Sequence, residues 1–284
     1  HAGTTVALLP MEFLHEGDPE MRLTAEWVEP ARLPWRALPR PVRAGDGDAL
    51  VRDLLARDNL RSCEAVARAY DHEVKGLTVV KPWVGAHRDV PSDATVLLVA
   101  HDAGAVGYAL AEGVFPAYSD RDAHAMAPAG VYLAVRRVLA AGARLDRVAM
   151  LDNYCWPDPL EGPGNPDARH KLAQLVRASR GLAEACLAYG TPLISGKDSM
   201  KNDAVVGGRR ISIPPTLLAS AIALVPDVGR ALTLEAGGPG EVLFLVGETG
   251  DELGGTEWAA LRGERGGDVP RVRPAEFARW YGAV

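Results

Sequence analysis

The segment from Thr191 to Asn202 combines residue types that suit phosphate and its counter-ion. Two apolar residues of a predicted buried strand are followed by a small-residue turn containing Gly196, and then by Lys197, Asp198 and Ser199. Because glycine has no Cβ, the backbone there can come close to a ligand. A cation, a carboxylate and a hydroxyl presented together suit a phosphate–Mg²⁺ group. The segment therefore predicts a nucleotide or phosphate site.

This site is not a Walker A loop. Five residues separate Gly190 from Gly196 where a Walker A loop has four. Asp198 also follows the lysine at the position where that loop requires Ser or Thr. The pattern therefore indicates a non-Walker site.

Three further residues are candidates for chemistry, each with a simpler alternative. Asp152 follows the predicted strand 148–151, where α/β proteins place ligand groups, although a carboxylate there can also cap a turn. Asp102 lies in a His-Asp-Ala-Gly loop after another predicted strand and could bind Mg²⁺, although its glycines equally suit a tight turn. His72 could act as an acid–base group, or could belong to a solvated helix end.

Strands that alternate with long helices surround these segments and indicate an α/β fold of the layered (α+β) kind. One predicted helix covers 127–141 with Pro128 in its first turn, and a longer one is opened by Asn165-Pro166 and ended by Gly190. Shorter helices are predicted from Asp46 to about Arg57, over 63–70, from Thr256 and from Pro274. The other predicted strands lie at 5–10, 95–100, 217–225 and 242–246.

Composition excludes some classes of partner. The formal net charge is −6 and no basic stripe offsets it, which argues against a nucleic-acid surface. No segment approaches the roughly 18 apolar residues of a membrane span, so we expect no membrane partner. The three cysteines have no metal-like spacing, which indicates idle thiols in a reducing compartment. We expect a cytoplasmic protein.

Seven segments, taken together and in order, resemble phosphoribosylformylglycinamidine synthase. They are Tyr70–Val74, Thr78–Pro82, His101–Gly104, Leu151–Trp156, Gly190–Ser199, Ile213–Thr216 and Glu252–Gly255. The resemblance covers roughly residues 5–284, and the combination is far more specific than any single segment. That family contains two copies of an aminoimidazole-ribonucleotide-synthetase-like unit, each with an N-terminal and a C-terminal α/β domain.

The chain is similar to the second copy, and the resemblance implies a domain division. Residues 1–24 would be the tail of a preceding synthetase-like C-terminal domain, 25–60 a linker and helix, 61–230 the synthetase-like N-terminal domain, and 231–284 the start of a truncated C-terminal domain. The Glu-Ser-His-Asn-His loop with the proposed catalytic His of the first copy is absent from this sequence. We therefore assign no catalytic residue and expect a fragment that is inactive alone.

The resemblance also implies a reaction and its partners. The family is an ATP-dependent C–N ligase of purine synthesis, which converts formylglycinamide ribonucleotide and ammonia to the amidine. The ammonia comes from glutamine on a separate glutaminase subunit or domain, and the first synthetase-like half completes the enzyme. The implied cofactors are ATP and Mg²⁺.

Few site residues carry over by resemblance. Asp152 and Gly196 match ATP contacts, so we expect the tips of their two neighbouring core strands to converge and to hold a triphosphate and its magnesium. Ser199 matches a serine that hydrogen-bonds the ribonucleotide. Lys197 departs from the family, where many members have an Asn that binds Mg²⁺. An ammonium group cannot coordinate a cation, so we expect Lys197 to meet an ATP phosphate directly and Asp198, with Asp102, to meet the metal.

Two other functions remain open. In one, the chain is a non-catalytic structural half that holds an auxiliary nucleotide. In the other, it is a different ATP-using member of the superfamily, such as a selenophosphate synthetase or a thiamine-phosphate kinase. The pairing of Asp-Asn-Tyr-Cys-Trp with Ser-Gly-Lys-Asp-Ser disfavours the second of these.

Overall fold

The computed structural model describes residues 1–17, 21–31, 45–69, 73–235 and 237–283. His72 and the first residues of the Tyr70–Val74 segment lie outside the described residues, as does the middle of the predicted linker. Within the described ranges, no helix is both long and apolar enough to cross a membrane.

The described ranges contain ten strands and seven α-helices. The strands are β1 Thr78–Val80, β2 Trp83–Val84, β3 Val90–Pro91, β4 Thr95–Leu98, β5 Gly107–Val114, β6 Val148–Cys155, β7 Leu193–Ser199, β8 Asp203–Val206, β9 Arg209–Ser212 and β10 Thr216–Val225. The helices are α1 Met11–Glu16, α2 Asp46–Leu55, α3 Glu64–Ala67, α4 Ser119–Ala140, α5 Ala168–Tyr189, α6 Glu257–Leu261 and α7 Pro274–Tyr281.

Six strands form the central sheet, in the order β1-β4-β5-β10-β6-β7. Neighbouring strands are antiparallel, except that β6 and β7 are parallel. Helix α5 connects this parallel pair, as a crossover between parallel strands requires. The sheet and its long helices confirm the predicted α/β fold.

Helices α4 and α5 cover one face of the sheet, and small residues let them approach closely. Strand β10 alternates buried and partly exposed residues, and β5 turns Ala109, Ala111 and Gly113 toward the helices. A Cβ at Gly113 would lie 2.1 Å from the carbonyl oxygen of Gly130 in α4, so only glycine permits this contact. The predicted apolar stripe of α4 is buried here, with Val135 fully inaccessible.

The opposite face of the sheet is open. Alternate residues of β5 and β10 point away from the helices, and Leu110, Val114 and Leu224 are each about two-fifths exposed. Serine and asparagine side chains lie on the same face, since Ser220 pairs with Leu151 and Leu218 pairs with Asn153. This open face, defined by the outward residues of β5, β10 and β6, is a mixed apolar and polar surface.

Helix α4 differs from its prediction in where it begins. It starts at Ser119 and is interrupted at Asp122, whose backbone is non-helical. The Asp122 carboxylate accepts hydrogen bonds from the backbone amides of His124 and Ala125 and so caps the helical turns that follow. Pro128 therefore lies inside the helix instead of in its first turn. Because proline has no N–H, Pro128 cannot donate to the carbonyl oxygen of His124. Helix α5 crosses α4 at this carbonyl oxygen through Gly181, where a Cβ would lie only 2.3 Å from it.

Two predicted strands are wrong. Residues 5–10 and 242–246 form no strand, and their apolar side chains face solvent, with Leu243 96% exposed. A strand is stable only when it pairs and packs, and in the described part of the chain nothing pairs with either run. The predicted helices at Thr256 and Pro274 are confirmed, and the Thr256 hydroxyl accepts from the Ala259 amide.

Candidate functional site

Strands β6 and β7 bring the two main candidate segments together. They run parallel, and Asp152 lies directly beside Gly196 in the register. A Cβ at Gly196 would lie 2.4 Å from Asp152 Oδ1, so the missing side chain is what makes room for the carboxylate. The convergence of positions 152 and 196 that the sequence predicted is therefore confirmed.

The two strands continue further than the sequence predicted. Asp152 lies within β6, which extends to Cys155, and the expected turn at Gly196 is part of β7. Strand β7 was expected to be buried, and this prediction is wrong. The strand is exposed because it forms an edge of the sheet. Successive side chains of a strand point to opposite faces. Lys197, Asp198 and Ser199 are therefore not presented together.

Asp152 and Asp198 lie on the face that α5 covers. With Tyr154 and Met200 they line one side of a cleft of about 350 Å³. Helix α5 forms the other side with Leu175, Ser179, Leu182 and Ala183. The Tyr154 hydroxyl and the Ser179 hydroxyl lie 3.2 Å apart and share a hydrogen bond. We call this space the β6–β7 cleft; it has an apolar wall and a rim of two carboxylates.

Burial shifts the ionisation of groups in the β6–β7 cleft. It raises the pKa of Asp152; a backbone hydrogen bond partly opposes this increase, and the nearby charge of Asp198 adds a smaller upward shift. Burial likewise raises the pKa of the Tyr154 phenol. A ligand that brings positive charge beside Asp152 would favour the ionised form of this carboxylate.

The two carboxylates of the cleft rim could supply part of the donor set of a magnesium site, which a ligand would complete. Mg²⁺ in phosphate sites typically takes one or two carboxylates and fills its remaining positions with phosphate oxygens and water. Asp152 and Asp198 supply the two carboxylates. Among the described residues, no cluster of three or more His, Cys, Asp or Glu side chains could hold a metal by itself.

Lys197 and Ser199 lie on the opposite face of the sheet. The Lys197 ammonium lies 3.9 Å from the Cys155 thiol, and the Ser199 hydroxyl donates to Asn202 Oδ1 over 3.1 Å. Cys155 pairs with Ser199, and Asn153 pairs with Lys197, so these four side chains share one face. We call them the Ser199 face. It continues the open face of the sheet.

The structure does not bring Asp102 to the cleft. Its loop joins β4 to β5 at the end of the sheet where β6 begins, and β5 lies three strands from β7. With strands about 4.8 Å apart and a rise of about 3.3 Å per residue, Asp102 is roughly 20 Å or more from Asp198. Asp102 and Asp198 therefore cannot bind the same metal ion, and the prediction that they do so is wrong.

Sequence reasoning missed a buried lysine that joins α5 to the β8–β9 hairpin. Lys171 is only 5% exposed, and its ammonium donates to Asn165 Oδ1 over 2.7 Å and to the Ser212 hydroxyl over 3.1 Å. It also pairs with Asp167 at 2.9 Å. The sequence indicates only that Asn165-Pro166 opens a helix, and it gives no signal that the side-chain amide of Asn165 would accept a hydrogen bond from Lys171.

Comparison with known proteins gives the chain its relatives. Residues 91–223 match the family described as AIR synthase related protein, N-terminal domain. The phosphoribosylformylglycinamidine synthase subunit PurL of Thermus thermophilus is 34% identical over 271 residues, which cover 95% of this chain and 34% of the relative. The PurL subunit of Thermoplasma acidophilum is 30% identical over 84% of this chain and 30% of its own length.

A solved structure of PurLQS from Thermotoga maritima aligns with 83% of this chain and 32% of its own chain, with 21% identity and a TM-score of 0.49. The sequence relatives confirm the predicted resemblance to phosphoribosylformylglycinamidine synthase. The chain spans about a third of the length of the curated relatives it matches.

Proposed function

We propose that this chain is the second synthetase-like half of a phosphoribosylformylglycinamidine synthase. The observation that carries the proposal is the register of Asp152 beside Gly196 in a chain similar to PurL subunits over most of its length. The complete enzyme would convert formylglycinamide ribonucleotide, ATP and glutamine-derived ammonia to the amidine, ADP and phosphate. ATP would activate the amide oxygen as an iminophosphate, and ammonia would then displace phosphate.

The β6–β7 cleft is the proposed nucleotide site. Its apolar wall suits the base and sugar, and its carboxylate rim suits a metal-bound phosphate chain. The backbone at Gly196 would approach the ligand, and Asp152 and Asp198 would hold Mg²⁺. When bound there, Mg²⁺ would supply neutralisation of phosphate charge. Catalysis would otherwise rest on positioning and charge stabilisation.

The Ser199 face is the proposed ribonucleotide site. Ser199 would hydrogen-bond this substrate, and the Lys197 ammonium on the same face would neutralise a phosphate. The sequence had assigned Lys197 to ATP, but the alternation of β7 places it on the side away from Asp152. The ATP and ribonucleotide sites would then lie on the two faces of one edge strand.

An uncovered face of the sheet supports one of the two proposed partners. We propose that the first synthetase-like half packs on the open face of the sheet, which exposes apolar side chains of β5 and β10. A glutaminase subunit or domain would deliver ammonia. We call the chain together with that half and the ammonia source the active assembly, and we place it in the cytoplasm.

The alternative is a non-catalytic half that holds an auxiliary nucleotide. Lys197 stands where many family members have an Asn that binds Mg²⁺, and this favours the alternative because an ammonium group cannot coordinate that cation. Nucleotide that co-purifies with the chain and does not turn over in the active assembly would support this alternative.

Substitution of Asp152 by Asn in the active assembly tests the main proposal. The change removes the rim charge with almost no change in shape. We expect a severe loss of ATP use, with the folded state retained by circular dichroism. Normal steady-state kinetics in this variant would remove Asp152 from the site.

A further inference from the structure

The turn after β7 fixes which way the Ser199 hydroxyl can hydrogen-bond. The side chain of Asn202 spans this turn. Its Nδ2 donates to the carbonyl oxygen of Ser199 over 2.7 Å and to that of Trp156 over 3.2 Å. Its Oδ1 lies 3.1 Å from the Ser199 hydroxyl oxygen.

The two carbonyls determine the orientation of the Asn202 amide. A carbonyl oxygen only accepts, so the NH₂ group must face both carbonyls, and a flipped amide would place oxygen against oxygen. The Oδ1 atom must then face Ser199. Because an amide oxygen also only accepts, the Ser199 hydroxyl must donate its single proton to Asn202.

The surrounding backbone holds this arrangement in place. Trp156 is fully buried, and its amide donates to the Ser199 carbonyl over 2.8 Å. The backbone N–H of Asn202 donates to the Trp156 carbonyl over 3.0 Å, and the backbone carbonyl of Asn202 accepts from the backbone N–H of Ile213 over 3.1 Å. The indole of Trp156 donates to the Lys171 carbonyl over 2.9 Å. Asn202 is thus tied to β6, β7 and the segment before β10.

We propose that Ser199 acts toward its ligand only as a hydrogen-bond acceptor, so that it recognises an N–H or O–H group, with Asn202 as the positioning residue. This inference rests on the proposed function, since it specifies which part of the ribonucleotide Ser199 meets. The proton of Ser199 is committed to Asn202, so only lone pairs remain for a ligand. Donation to a phosphate oxygen would leave Asn202 Oδ1 without its partner.

Lys197 completes this division of labour on the Ser199 face. Its ammonium has three donors and a positive charge, which suit a phosphate. The ribonucleotide offers both kinds of group: a phosphate, and amide N–H and ribose O–H donors. The phosphate is assigned to Lys197, and a donor group to Ser199.

A substrate-analogue series on the active assembly tests the inference. The KM for the ribonucleotide is measured for the parent sequence and for Ser199→Ala. The analogues are the 2′-deoxy ribonucleotide, the 3′-deoxy ribonucleotide and one with an ester oxygen in place of the formamide N–H, which leaves the reacting amide intact. Each of these lacks one donor, and the dephosphorylated nucleoside lacks the phosphate. With the intact ribonucleotide, Ser199→Ala should raise KM about five- to tenfold and leave kcat within about twofold. With one donor-deleted analogue, Ser199→Ala should have no further effect.

Two further variants guard against a merely structural explanation. Ser199→Thr retains the hydroxyl and suits a strand, so it should restore KM to within about twofold. Asn202→Ala frees the Ser199 hydroxyl to rotate and to donate while its lone pairs can still accept, so the preference for the intact ribonucleotide over the decisive donor-deleted analogue should fall without disappearing. An unchanged preference in Asn202→Ala would overturn its positioning role.

Two results would overturn the acceptor assignment. In one, the Ser199→Ala penalty persists with every donor-deleted analogue and disappears only with the nucleoside, which would mean that Ser199 donates to phosphate. In the other, Ser199→Ala has no penalty at all. If ATP use still depends on Asp152 in that case, the proposed function stands and only this inference fails.

Discussion

Replacement of Gly196 by alanine perturbs the β6–β7 cleft at the contact between its two strands. The added Cβ would lie 2.4 Å from Oδ1, 3.1 Å from Cγ and 3.2 Å from Oδ2 of Asp152. The closest of these separations is roughly 1 Å shorter than ordinary van der Waals contact. The neighbour that must move is a side-chain carboxylate and not backbone, so the strand pairing can survive the substitution.

The expected effects on stability and on binding differ in size. Turning Asp152 away from its rotamer costs about 0.5–1.5 kcal/mol, which lowers Tm by about 1–3 °C in a chain of this size. The same movement displaces the carboxylate from the proposed nucleotide by about 1 Å, which would remove a charge-assisted contact worth about 1.5–3 kcal/mol, or roughly ten- to a hundredfold in Kd. We therefore expect the Kd for ADP–Mg²⁺ to rise at least about tenfold.

Isothermal titration calorimetry and thermal melting of the 284-residue chain measure the two effects separately. Gly162→Ala is the matched control, because a Cβ at Gly162 would meet nothing within 4 Å. The control should change neither the Tm nor the Kd appreciably. A Gly196→Ala chain that binds ADP–Mg²⁺ as tightly as the control would refute the assignment of the cleft as a nucleotide site.

Three further substitutions test other parts of the account. Burial raises the pKa of Asp152, so ionisation of this carboxylate opposes folding, and Asp152→Asn should raise Tm at pH 7. Thermal melts across pH should show that this gain shrinks as the pH falls toward about 3.9, the pKa of Asp in the unfolded chain. A Tm gain that is independent of pH would contradict this origin. Lys197→Met should raise KM for the ribonucleotide more than for ATP in steady-state assays, and an effect confined to ATP would restore the assignment made from sequence. Lys171→Met should cost about 2–4 kcal/mol in denaturant unfolding, because Asn165, Asp167 and Ser212 lose a buried partner, while ADP binding by calorimetry stays unchanged.

The sequence predicted the meeting of Asp152 and Gly196 because both follow apolar runs of core strands. It did not predict the faces on which their neighbours lie. Polar residues at 195–199 have the composition of a turn, yet parallel pairing with β6 keeps them in a strand. Once they are in a strand, alternation separates Asp198 from Lys197 and Ser199. The faces on which these side chains lie therefore depend on pairing with β6, a strand that is distant in sequence and that local composition does not reveal.

Other differences have the same origin in tertiary contacts. Residues 242–246 have the apolar composition of a strand, but in the described ranges they have no strand to pair with. Pro128 was placed in a first helical turn because proline is common there, whereas in the fold it marks where α5 crosses α4 at Gly181. The role of Asn202 required knowledge that Trp156 and Ser199 both turn carbonyl oxygens toward it.

A crystal structure of the chain with ADP and Mg²⁺ tests the central claim most directly. The account predicts nucleotide density in the β6–β7 cleft, with the diphosphate beside Gly196 and the metal within coordination distance of Asp152 or Asp198. Nucleotide bound elsewhere on the chain, with the cleft closed by Tyr154 and the side chains of α5, would contradict it.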